Sequence, residues 1–65
     1  MHIREYPQQG VGEYTVVAQR DAEGVYYQAY NKETNKYYGM LFSVSAAREL
    51  CAQLHCDDVL QEMGF

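Results

Sequence analysis

The sequence has no tryptophan, a single proline, two cysteines and, from residue 49 onward, not one basic side chain. Each shortage excludes something. No apolar run approaches the roughly 18 residues that cross a bilayer, so no membrane association is expected. Two cysteines cannot build a disulfide framework. On a helix Cys51 and Cys56 would point about 140° apart, so both are expected as free thiols in a reducing cytoplasm. The opening Met1-His2-Ile3-Arg4-Glu5-Tyr6 has no apolar segment of the kind a secretory signal needs. With only 65 residues, a single domain over 1–65 is expected, burying roughly 60% of its unfolded surface. That leaves no room for a cofactor domain beside a substrate domain.

What is present is charge and aromatic surface, each with a layout. The net charge is −4. Residues 1–48 balance, with Glu5, Glu13, Asp21, Glu23 and Glu33 against Arg4, Arg20, Lys32, Lys36 and Arg48. The whole excess lies in Glu49, Asp57, Asp58 and Glu62. Direct nucleic-acid binding needs a basic stripe to neutralise phosphates, and none is visible. The acidic segment favours a basic protein partner through long-range attraction, although four carboxylates also serve simply to solvate a helix.

Local signals predict an α+β fold in the order β-β-β-α. Pro7-Gln8-Gln9-Gly10-Val11-Gly12 reads as a loop, with Ile3–Tyr6 before it as a short fourth edge strand or a loose arm. Tyr14–Arg20, Val25–Tyr30 and Tyr37–Phe42 are rich in β-formers and predict a three-stranded antiparallel meander. Asp21-Ala22-Glu23-Gly24 suits a tight turn, because the Asp21 carboxylate accepts from nearby backbone N–H groups. Lys32–Asn35 forms the second turn, with Asn35 able to turn left-handed. Ala47, Leu50, Cys51 and Leu54 then recur at i, i+3, i+4 and i+7, the stripe of an amphipathic helix capped by Ser43 or Ser45. Continued, that stripe would bury Asp58 and Gln61. A break near Cys56–Asp57 is therefore expected, with a short final helix capped by Asp57 or Asp58 and ended at Gly64.

Four-residue turns pair Arg20 with Val25 and Asn31 with Lys36. Alternation then sorts the strands into two faces. Val16, Ala18, Val25, Tyr27, Ala29, Tyr38, Met40 and Phe42 are expected against the helix. Thr15, Val17, Gln19, Tyr26, Gln28, Tyr30, Tyr37, Gly39 and Leu41 are expected on the open side. Tyr26, Tyr30 and Tyr37 are the candidate partner-binding residues there, since tyrosine offers rigid contact area at little entropic cost. Cross-strand tyrosine pairs also stabilise a sheet with no binding role, and a homodimer is a competing use of the face.

Chemistry is sparse. Cys51, His55, Cys56 and Asp58 form the only dense group of metal-ligand types, but a closed zinc site wants four converging ligands, so no metal and no cofactor is expected. A nucleophile drawn from Cys51 or Cys56 with His2 or His55 lacks a third orienting group and a water-excluding cleft. No enzyme is expected. The expected function is a small acidic protein-binding module, an inhibitor or regulator of the phage-encoded anti-defence type such as an anti-CRISPR protein. It would act through Tyr26, Tyr30 and Tyr37, through Glu49, Asp57, Asp58 and Glu62, or through both. The alternative is a sheet that stacks single-stranded nucleic acid on its tyrosines. A third reading comes from Tyr14-Thr15-Val16-Val17 and Asp21-Ala22-Glu23-Gly24 in a first hairpin followed by a third strand and a helix. Over less than half of the chain this order resembles the N-terminal part of HicB-type antitoxins, which implies a regulatory domain and carries over no functional residue.

Overall fold

The computed structural model describes residues 2–64. Four antiparallel strands follow one another in space as in sequence: β1 (Arg4–Val11), β2 (Tyr14–Asp21), β3 (Gly24–Asn31) and β4 (Lys36–Leu41). One helix, α1 (Val44–Glu62), lies across one face of the sheet. The architecture is thus α+β, β-β-β-β-α, with the fourth strand at the N-terminal edge. Pro7–Val11 belongs to that strand rather than to a loop. Its pairing slips between Tyr6 and Val11, an irregularity that accommodates a proline with no N–H and a glycine on an edge strand.

The turns form as their residues dictate. Asp21 Oδ1 accepts from the N–H groups of Glu23 at 2.8 Å and Gly24 at 3.1 Å. Asn31 Oδ1 accepts in the same way from Glu33 and Thr34, and Asn35 takes the left-handed conformation at φ 59°. These short connections place Arg20 opposite Val25 and Asn31 opposite Lys36, the expected registers.

The second register does not persist. Ala29 pairs with Tyr38, but Tyr27 pairs with Leu41, so β4 carries one extra residue. Gly39, at φ +80°, sits at this bulge. A single added residue inverts every side chain beyond it. Leu41, expected on the open side, packs with the core. Met40 and Phe42, expected in the core, are 57% and 80% exposed. Val25, also expected in the core, lies beside the β2–β3 turn, outside the core cluster and 42% exposed.

The core itself is Tyr14, Val16, Ala29, Ala47 and Cys51, ringed by Tyr6, Val11, Tyr27, Tyr38, Leu41, Val44, Leu50 and Leu54. Ala29 and Ala47 let helix and sheet approach closely, and a fully buried valine such as Val16 contributes about 1.5–3 kcal/mol. Tyr14 meets Tyr38, and Tyr6 meets Tyr27, edge to face at 6.0 Å, an arrangement that aligns ring quadrupoles favourably. Thr15 and Val17 are buried too, although they point to the side away from the helix. In the register Val17 is flanked by Glu5 and Gln28, and the N-terminal arm folds back over this side so that His2 reaches Tyr30 and Tyr37.

Helix α1 starts at Ser43, whose hydroxyl accepts from the Ala46 N–H at 3.2 Å. It runs 19 residues without the expected break at Cys56–Asp57 and without a separate final helix. The physical reason is Asp58, which stays on the sheet side of the helix because the Tyr14 hydroxyl donates to it at 2.7 Å. Beyond Glu62 the chain ends its helix with left-handed Gly64, whose N–H donates to the Gln61 carbonyl at 3.1 Å.

The bulge makes a measurable demand on Gly39. A Cβ there would meet Leu50 Cδ2 at 2.6 Å in a left-handed backbone, whereas one at Gly64, also left-handed, meets nothing within 4 Å. Gly39→Ala should therefore cost about 1–3 kcal/mol, lowering Tm by at least roughly 5 °C, and Gly64→Ala clearly less. Equal melting temperatures for the two variants would show that β4 is not bulged at Gly39.

Candidate interaction surfaces

The open face of the sheet carries two aromatic groups separated by glutamines. In the first, Tyr30 and Tyr37 face each other across β3 and β4, with ring centroids 4.7 Å apart and planes tilted by 34°. His2 leans on both, 5.4 Å from Tyr30 and 6.2 Å from Tyr37. Its Nδ1 lies 3.3 Å from the Tyr37 hydroxyl and its Nε2 3.3 Å from Glu5. The Tyr30 hydroxyl donates to the Asn35 side-chain oxygen. This end of the face is pre-organised by its own contacts.

In the second group, Tyr26 shares a shallow hollow of about 50 Å³ with Met40 and Phe42, beside the Asp21–Gly24 turn and Val25. Between the groups Gln28 donates to the Gly39 carbonyl at 2.7 Å and receives a bond from Gln19 at 3.3 Å. The three tyrosines do share one face, but Tyr26 belongs to a different cluster from Tyr30 and Tyr37. Met40 and Phe42 extend the face and were not among the residues expected there. The signal that could have found them is Gly39 itself, since an isolated glycine inside a strand marks a bulge.

The acidic residues separate as well. Glu49, Asp57 and Glu62 are exposed on α1, while Asp58 is half-buried and tied to Tyr14. Among the described residues none of the four pairs with a lysine or arginine. Asp58 belongs to a polar cluster at the β1–β2 turn, in which Glu13 Oε2 lies 3.0 Å from His55 Nδ1 and Gly12, at φ +60°, passes beneath the His55 ring. The bond from Tyr14, with Glu13 and the nearby His55 adding to it, holds the Asp58 carboxyl below its ordinary range. The same bond, together with burial, pushes Tyr14 up to about 12.

The thiols do not join this cluster. Cys51 is fully buried in the core, where loss of hydration pushes its pKa up and disfavours the nucleophilic thiolate. Cys56 is exposed. His55 engages Glu13, and His2 lies on the other side of the sheet, so neither cysteine acquires a histidine partner among the hydrogen bonds of the described residues. Among those residues no three of the types His, Cys, Asp and Glu come together as a metal site. No described helix is long and apolar enough to cross a membrane.

The Tyr14–Asp58 bond should make stability depend on pH at both ends. Asp58 is lowered in the fold, so its contribution is complete above the ordinary carboxylate range and fades as pH falls through it. Tyr14 is raised, so its contribution is complete below about pH 10 and fades as pH climbs from there toward about 12. The stability lost in Tyr14→Phe, measured by urea melts, should be constant between about pH 5 and 9 and shrink outside that window. A difference that stays the same from acid to alkali would mean the bond is not made.

No protein-family model, curated protein or solved structure matches this chain.

Proposed function

We propose that the protein is a non-enzymatic protein-binding module, an inhibitor or regulator that captures its partner on the open sheet face. The observation that carries this reading is the exposure of Phe42, Met40 and Tyr37 on the side its own helix leaves free. Each is large and apolar or aromatic, and Met40 and Phe42 have strand or turn backbone that holds them outward whatever the solvent prefers. Exposed aromatic and apolar groups set among polar ones mark association sites, and aromatic anchors supply most of the energy in such interfaces. Asp21 and Glu23 at the rim of the hollow, with the net charge of −4, favour a partner of basic character.

Base stacking on the tyrosines is the weaker reading. The Tyr30 and Tyr37 rings already pack against each other and against His2, and the hollow at Tyr26 is bordered by carboxylates that repel phosphate.

Phe42→Ser and Met40→Ser remove exposed groups and should each change stability by about 0.5 kcal/mol or less. Affinity capture from native host extract, read by mass spectrometry, should show a partner retained by the wild type and lost from the double variant. An unchanged capture profile defeats the proposal. A wild-type mass that rises with concentration in light scattering, and no longer does so in the variant, would reassign the face to a homodimer.

A further inference from the structure

Helix α1 carries a second apolar row that the fold does not use. Cys56, Val59, Leu60 and Met63 are spaced i, i+3, i+4 and i+7, so they line one side of the helix and its C-terminal cap. All four are exposed, Val59 by 37%, Leu60 by 49% and Met63 by 64%. At 100° per residue this row lies nearly opposite the side that presents Ala47, Cys51 and Asp58 to the sheet. It also occupies the C-terminal end of the helix. Asp58 makes the last side-chain hydrogen bond between helix and strands among the described residues, and the helix continues to Glu62 beyond it.

The same helical geometry arranges exposed carboxylates round the row. Asp57 borders it on one flank and Glu62 on the other, with Glu49 in line with it toward the N-terminus. Residues 49–64 contain no base, and none of these three acids is neutralised by a lysine or arginine elsewhere in the described structure. A row of this spacing is what a partner helix reads as its anchor pattern. The flanking charges decide which partner. A second copy would bring carboxylates against carboxylates in either orientation, a like-charge contact that disfavours self-association. A cationic segment gains attraction at every flank.

We propose that the C-terminal half of α1 is a docking site for a basic amphipathic helix, one that packs an apolar row on Cys56, Val59, Leu60 and Met63 and sets lysine or arginine against Asp57, Glu62 and Glu49. The site is separate from the open sheet face and stands whether or not that face binds.

The test uses the full chain and three synthetic peptides of about 18 residues, followed by NMR chemical shifts and fluorescence anisotropy. The first is a helical peptide with a leucine row flanked by lysines, the second has glutamates in place of the lysines, and the third is the first scrambled to destroy the row. The lysine peptide should bind, weaken at least tenfold as salt rises from low to high, and shift the amides of residues 56–63. The other two should bind at least tenfold more weakly. Val59→Ser with Leu60→Ser should abolish binding at unchanged Tm, and Asp57→Lys with Glu62→Lys should do so with the apolar row intact. Equal binding of the scrambled peptide, shifts confined to the open sheet face, or undiminished binding by either variant would overturn the proposal. So would a wild-type dimer that dissociates in the Leu60→Ser variant, which would assign the row to a second copy.

Discussion

Much of this molecule depends on one backbone constraint, the left-handed residue at Gly39 in the middle of β4. A strand places side chains on alternate faces, so an extra residue at Gly39 exchanges the faces of everything beyond it. Leu41 is thereby turned toward α1, where it completes the ring round Val16 and Cys51. Met40 is turned away, and Phe42 emerges beside Tyr26. The bulge is therefore what separates the core from the open face at this end of the sheet. Leu50 of the helix also lies against the bare Cα of Gly39. A residue with a side chain would meet both the conformational and the steric objection at once.

A second constraint acts at the opposite end. Tyr14 is almost wholly buried, and its hydroxyl needs an acceptor there. Asp58 supplies it across 44 positions of sequence. That single bond keeps the acidic residue on the sheet side of α1, and the helix passes through Cys56–Asp57 without a break. The apolar residues Val59, Leu60 and Met63 then have nowhere to go but outward. A polar bond inside the fold and an apolar row outside it are two consequences of the same helical phase.

Together these constraints give a small acidic protein two uncovered surfaces on different elements. The sheet face offers ring and thioether groups held by their neighbours, and the end of the helix offers an apolar row set among carboxylates. Among the described residues Cys51 is sealed in the core, Cys56 stands apart from any histidine bond, and His55 is occupied by Glu13. The proposed binding role rests on these two exposed surfaces.

Local chemistry was legible in the sequence wherever a few adjacent residues decide the outcome. Asp21 and Gly24, Asn35, Ser43 and Gly64 each determined a turn or a cap, because their side chains or their freedom at positive φ act on backbone within three residues. The helix stripe Ala47, Leu50, Cys51 and Leu54, the register of the first hairpin and the concentration of negative charge after residue 48 were determined in the same way. Which side chains face the core was decided only by the tertiary structure. Val17 is buried on the side away from the helix, between Glu5 and Gln28 of the flanking strands, and Met40 is displaced by a bulge that must fit Leu50. Asp58 looks like a misplaced charge until Tyr14 is set beside it. In each case the outcome turns on competition for the space between one sheet and one helix, and that competition is settled between residues far apart in the chain.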